Sequence, residues 1–285
     1  MPPRPSAMKA LRGLSLALAL AGLTVLPPSE AQAQKARPSR VSAKDAREIA
    51  AIAAQLRSTT TAEILAGLES ARGLPRGAET FVPLITDVLR AGSNPEVTVA
   101  ALQALGDLGD RSSASALLPY ARHRRPELRV AAIEALAKTG GLEAVFTLRK
   151  ALGDMDLQVR RAAALGLGKL AAKEAIDELA KALDRGLDEA APSIARIGGV
   201  VHVEGLVPKL PTLSLPMALE SSEVLLVRDD LPEELKLSCV ARLAERESNE
   251  VQAWLADFRK RELSPELARA IDDALVAIGA NEEAP

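Results

Sequence analysis

The chain has 285 residues, is 48% hydrophobic, 26% charged and 2% aromatic, and sets 36 basic against 38 acidic side chains for a formal charge of −2. Its five aromatic residues (Phe81, Tyr120, Phe146, Trp254 and Phe258) cannot supply a typical β-sandwich core or the stacking platform of a single-strand nucleic-acid binder. The near balance of charge argues against a general polyanion binder, and an apolar fraction dominated by Ala and Leu favours helices.

Residues 1–33 follow the plan of a secretory signal. Arg4, Lys9 and Arg12 form a positive start, and Leu14 to Leu26 is an uncharged apolar run of 13 residues, short of the ~20 that span a bilayer. Pro27 and Pro28 break the helix, and Ala31-Gln32-Ala33 fits a cleavage site between Ala33 and Gln34. Export to the periplasm or the extracellular space is therefore expected. No stable membrane span is expected after cleavage, which removes three basic residues and Glu30 and leaves a charge of −4. Gln34–Arg40, polar and basic, reads as a flexible tail. Residues 41–93 read as N-terminal capping helices at Val41–Leu56, Thr61–Leu74 and Glu79–Ala91.

The middle of the chain repeats. Pro95–Gly109, Pro126–Gly140 and Met155–Ala171 align with a step of 31, carried by Val97/Leu128/Val159, Ala100/Ala131/Ala162 and Leu105/Leu136/Leu167. Leu117, Leu148 and Leu179 repeat at the same interval, so each unit reads as helix A, turn, helix B, turn. In the second unit Leu128, Ala131, Ala132, Ala135 and Leu136 make one apolar stripe, with Pro126 at the helix start and Gly140-Gly141 at its end. Helix B, Glu143–Leu152, adds Val145, Leu148 and Leu152. Neither helix can bury its stripe alone, so the units must stack.

The runs VAALQALGDLG, VAAIEALAKTG and RRAAALGLGKL resemble the bacterial HEAT-like repeats, the class also called PBS-lyase HEAT-like repeats. The resemblance implies an all-α fold, a right-handed α-solenoid of helix pairs, with the core at residues 94–210. In that family an Arg at the position of Arg129 and Arg160 forms a ladder with acidic residues of adjacent turns, here Asp154 and Asp156. A shortened unit follows at Ala190–Gly198, a step of 27 from Leu167 to Ile194, with its helix B near Val203–Leu210. Val207–Pro216, with three prolines, reads as an extended connector. Residues 211–285 read as degenerate helical repeats at Pro232–Ala244, Val251–Arg259 and Pro265–Gly279, and the lone Cys239 reads as a small buried hydrophobe.

Catalytic signatures are sparse. The chain has two histidines, His123 and His202, and no HExxH or GxSxG. HEAT-like hydroxylases carry His-Glu pairs for di-iron, whereas His123 precedes Arg124 and His202 precedes Val203. Gly166-Leu-Gly168-Lys169 lacks the spacing of a phosphate loop. No cofactor or metal is expected. The reading is an exported, non-enzymatic scaffold that binds a protein partner, not nucleic acid, on the solenoid surface. Its candidate binding residues are the basic turn Arg122, Arg124 and Arg125, and the helix-B side chains Glu143, Lys150, Glu174, Asp177, Glu178 and Lys181, a set of mixed sign expected to line the concave face. The alternative is an enzyme or enzyme subunit, lyase- or hydroxylase-like, with a site between repeats; self-association is a third reading.

Overall fold

A computed structural model describes residues 42–282 other than Ser93; the signal segment, its cleavage site at Ala33–Gln34 and the 34–40 tail lie outside the described residues. Every regular element among the described residues is helical, as a sequence rich in Ala and Leu requires. The N-terminal helices are α1 (Ala43–Leu56), α2 (Thr61–Arg72) and α3 (Ala78–Arg90). The A helices of the repeats are α4 (Pro95–Leu108), α6 (Pro126–Thr139), α8 (Leu157–Lys169) and α10 (Ala190–Ile197). Between them run the B helices α5 (Ala114–Leu117), α7 (Leu142–Ala151), α9 (Ile176–Asp184) and α11 (Val200–Leu206). The C-terminal helices are α12 (Leu215–Val227), α13 (Glu233–Ala244), α14 (Asn249–Phe258) and α15 (Pro265–Glu282).

Local chemistry sets these boundaries. Asn94 caps α4 by accepting from the Val97 N–H at 2.9 Å, with Pro95 in the first turn. Asp156 caps α8 through the N–H groups of Gln158 and Val159. Gly140 and Gly141, at φ of 72° and 96°, make the reversal between α6 and α7 that a side chain would strain. Helix B of the first unit is broken: Pro119 interrupts it, and 3-10 turns at Arg111–Ser113 and Tyr120–Arg122 flank the four-residue α5.

Alternate helices pack directly on one another from α2 through α4, α6, α8 and α10 to α12, so the A helices form one close row and the B helices lie beside it. Small residues allow that approach. A Cβ on Gly106 would sit 2.7 Å from the Ala135 Cα, and one on Gly166 would sit 2.8 Å from the Ala137 Cβ. One on Gly168 would meet Ser193, whose buried hydroxyl donates to the Ala164 carbonyl at 2.8 Å. These contacts pair residues 29, 29 and 25 positions apart; the last is shorter by the four residues that the fourth unit lacks. A single core runs from Ile52 to Ile278, and it includes Leu105, Leu136 and Leu167 of the sequence stripe, all fully buried.

Two expectations are corrected. Val207–Pro216 is not an extended connector: Val207–Thr212 forms a 3-10 helix that buries Val207 and Leu210. Its apolar side chains have a core to enter, because α13 packs on it and the Arg246 guanidinium donates to the Leu210, Pro211 and Leu213 carbonyls at 3.3, 2.9 and 2.7 Å. Residues 217–227, given no helix by periodicity, belong to α12, whose buried face mixes Ser221 and Ser222 with Leu225 and Leu226. Beyond α12, direct contact between alternate helices passes to α13 and α15. No helix among the described residues is long and apolar enough to cross a membrane.

Candidate functional site

The repeat fixes its turns with arginine. Arg129 Nη1 donates to the carbonyls of His123 and Arg124 at 3.0 and 3.3 Å; 31 residues on, Arg160 Nη1 donates to those of Asp154 and Met155 at 2.8 and 3.0 Å. The turns into α6 and α8 are therefore each held from inside by the helix they start. The expected ladder is half present. Arg129 grips Asp154 through both oxygens, at 2.9 and 2.7 Å, while Asp156 serves as the helix cap described above. Burial alone would raise the Asp154 carboxyl, but the Arg129 hydrogen bonds and the Asp156 N–H outweigh it and hold Asp154 below the ordinary aspartate value. Asp107 is held low in the same way, against its desolvation, by Lys138 and Arg72. Those two cations come from α6 and α2, both at 2.5 Å from a carboxylate on α4, so one acid ties three successive helices of the close-packed row.

The candidate binding residues fall on two opposite ends of the B helices. Glu143 is in the first turn of α7, Glu174 in the 3-10 turn before α9, and Asp177 and Glu178 in the first turn of α9. Lys150 and Lys181 are in the last turns of α7 and α9, and Arg122, Arg124 and Arg125 are exposed in the turn leading to α6. The mixed-sign face expected from sequence is thus resolved into an acidic end and a basic end, the arrangement that complements a helix dipole. Glu178 is the exception. It reaches Arg149 in an ion pair that holds its carboxyl low, and so leaves the exposed set.

At the basic end a groove opens between the C-terminal turns of α7 and α9. Arg149, Lys150, Arg160, Lys181 and Arg185 line it over an apolar floor of Leu152, Leu157, Ala182 and Leu187. A second groove adjoins it across Lys150, with Arg122, Arg124 and Met155 on its walls. Met155, 98% exposed, stands on the second groove, and two more large apolar side chains are exposed back along α7: Phe146 at 55% and Leu142, at its start, at 84%. Leu142, Phe146 and Lys150 are successive i, i+4 neighbours on α7, and the Lys150 ammonium sits 4.4 Å from the Phe146 ring centroid. Sequence reasoning missed Arg149, Arg160 and Arg185 as groove residues and Leu142, Phe146, Met155 and Leu157 as surface. The i, i+4 spacing on α7 was the available signal for the first two of that apolar group.

The histidines stand apart. His123 Nδ1 accepts the Arg125 N–H at 3.1 Å and its ring stacks on Tyr120, whose hydroxyl donates to the Leu89 carbonyl. His202 Nε2 lies 3.7 Å from Asp177 on the acidic end. No group of three or more His, Cys, Asp or Glu side chains placed to hold a metal ion occurs among the described residues.

Residues 82–151 match the family model for HEAT repeats, and residues 159–185 match that for the PBS lyase HEAT-like repeat, which supports the repeat class. No curated protein matches the chain. Solved structures similar to it include the CpcE–CpcF complex of phycocyanin lyase from Nostoc sp. PCC7120, at 18% identity over 81% of this chain and 94% of that one, with a TM-score of 0.46. Human deoxyhypusine hydroxylase is similar at 17% identity over 82% and 95%, with a TM-score of 0.39. A designed armadillo repeat protein in complex with a (KR)4 peptide is similar at 17% identity over 79% and 98%, also at 0.39. Likenesses this distant carry no argument about activity.

Proposed function

We propose that the chain is an exported, non-enzymatic scaffold that holds a protein partner on the exposed face of its B helices. The observation that carries this reading is the run of large apolar side chains left in solvent along α7 and the turn after it: Leu142 and Phe146, one turn apart, then Met155 and Leu157. Apolar groups of that size, grouped and rimmed by charge, mark a surface that another molecule covers. The surroundings are preformed: Arg129 and Arg160 hold the adjoining turns, and Gly106, Gly166 and Gly168 let the A row pack closely. A preformed surface binds with little ordering cost. Export rests on the sequence plan of residues 1–33.

The test is affinity capture from an envelope fraction of the source organism, using the chain from Gln34 onward as bait beside a Leu142→Ser, Phe146→Ser variant. The expected result is a stoichiometric protein recovered by the wild type and lost by the variant, whose exposed substitutions leave the helical signal unchanged. Recovery of no protein, together with turnover of a small molecule by the pure chain, would overturn the reading.

A further inference from the structure

The groove between α7 and α9 has an unusual charge inventory for a chain that is acidic overall. Its walls carry five cations and one carboxylate, and that carboxylate, Glu178, is already taken by Arg149. Lys150, Arg160, Lys181 and Arg185 have no ion-pair partner among the described residues. Lys150, Lys181 and Arg185 are exposed, and Arg160 is half-buried with one nitrogen on the turn carbonyls.

Complementing helix dipoles does not account for this excess. The C-termini of α7 and α9 bring partial negative charge to this end, but the A helices run the other way and bring the positive N-termini of α8 and α10 to it. The backbone contributions oppose each other, and the side-chain charge remains. The basic turn Arg122, Arg124 and Arg125 adjoins across Lys150 and extends the field in one direction. The floor is apolar, with Leu157 40% exposed and Leu152 half-buried.

We propose that this groove docks an extended acidic segment of the partner protein, with its carboxylates on Lys150, Lys181 and Arg185 and an apolar side chain on Leu152 and Leu157. The inference rests on the scaffold reading above. Charge complementarity selects an anion, and the apolar floor selects a peptide over a polyphosphate, which has no apolar group to offer. Guanidinium and ammonium groups bind carboxylates with charge-assisted hydrogen bonds, and Arg160 and Arg185 supply the planar donors that fit them. Nucleic acid fits poorly: its bases need successive aromatic platforms, and Phe146 is the one exposed aromatic side chain on α7.

The test uses fluorescence anisotropy with a labelled ten-residue peptide of alternating glutamate and leucine, on the chain from Gln34 onward. The wild type is expected to bind, and to bind less tightly as salt rises. The Lys181→Glu, Arg185→Glu variant is expected to weaken binding by about tenfold or more, as reversal of paired charges does. Glu220→Lys, exposed on α12 and outside the groove, is expected to leave it unchanged. All three substituted side chains are exposed, and matching far-UV dichroism verifies that the variants fold. Absence of binding, equal binding of the lysine–leucine counterpart, or insensitivity to the reversal would overturn the proposal. So would tighter binding of a single-stranded oligonucleotide or an anionic vesicle by the same residues. If capture through Leu142 and Phe146 succeeds while the peptide fails, the scaffold reading stands and the acidic-segment inference falls.

Discussion

Gly168→Ala tests the stacking directly. Position 168 lies inside α8, where alanine is favoured over glycine by about 1 kcal/mol from propensity alone. The packing opposes this. The new Cβ would lie 2.2 Å from Ser193 Oγ, 2.7 Å from its Cβ and 2.9 Å from its Cα, so a rotamer change in Ser193 cannot relieve the clash. Overpacking of this kind costs about 1–3 kcal/mol. Driving the Ser193 hydroxyl off the Ala164 carbonyl strands a buried donor at a further ~1–3 kcal/mol. After the propensity gain, the net expectation is a loss of about 1–5 kcal/mol. Gly205→Ala is the control: nothing lies within 4 Å of its Cβ, so it is expected to gain up to about 1 kcal/mol. Pairing Gly168→Ala with Ser193→Gly is expected to recover about 1 kcal/mol or more as a coupling energy. Urea unfolding followed by far-UV dichroism and by the single Trp254 provides the measurement, and agreement of the two probes guards against piecemeal unfolding of a repeat array. A Gly168→Ala protein more stable than wild type would refute the direct contact between α8 and α10.

Other expectations follow from single contacts. Burial pushes the Cys239 thiol up to about 12, with Ser222 pulling slightly the other way, so it should resist thiol reagents in the folded chain and react at the rate of unfolding; rapid labelling of native protein would contradict its burial. Asp154 has a lowered folded-state value, so it contributes stability that is present above the unfolded aspartate value of about 3.9 and lost as pH falls through the folded one. Asp154→Asn should cost about 1–3 kcal/mol at neutral pH and flatten the acid side of the stability profile below about pH 4; an unchanged profile would place the acid sensitivity elsewhere. Arg228→Ala removes donors to the Ala195 and Gly198 carbonyls at 2.7 and 2.8 Å and is expected to lower stability by about 1–3 kcal/mol, read by the same unfolding curves.

The helix pairs were legible because burial writes itself as a period: Leu105, Leu136 and Leu167 recur at 31 residues and all three are fully buried. The N-terminal helices agree with the pattern to within two residues at every boundary. Helix α12 was hidden because its inward residues include Ser221 and Ser222, which a hydrophobic pattern does not count. The proline-rich 207–216 stretch was misread because local turn chemistry says nothing of the buried neighbour that receives Leu210. The basic groove was half visible. Lys150 and Lys181 stood out as helix-B charges, but Arg185 lies beyond the end of α9 and joins them only when two turns 31 residues apart meet in space.

The most direct test of the account places a photoreactive phenylalanine analogue at residue 146, in the exposed patch on α7, and at residue 174, on the acidic end, and irradiates intact cells producing each form. The account predicts one discrete protein adduct from residue 146 and none from residue 174. Adducts from residue 174 alone, or from neither position while the chain is present and folded, would contradict a partner seated on the apolar run of α7.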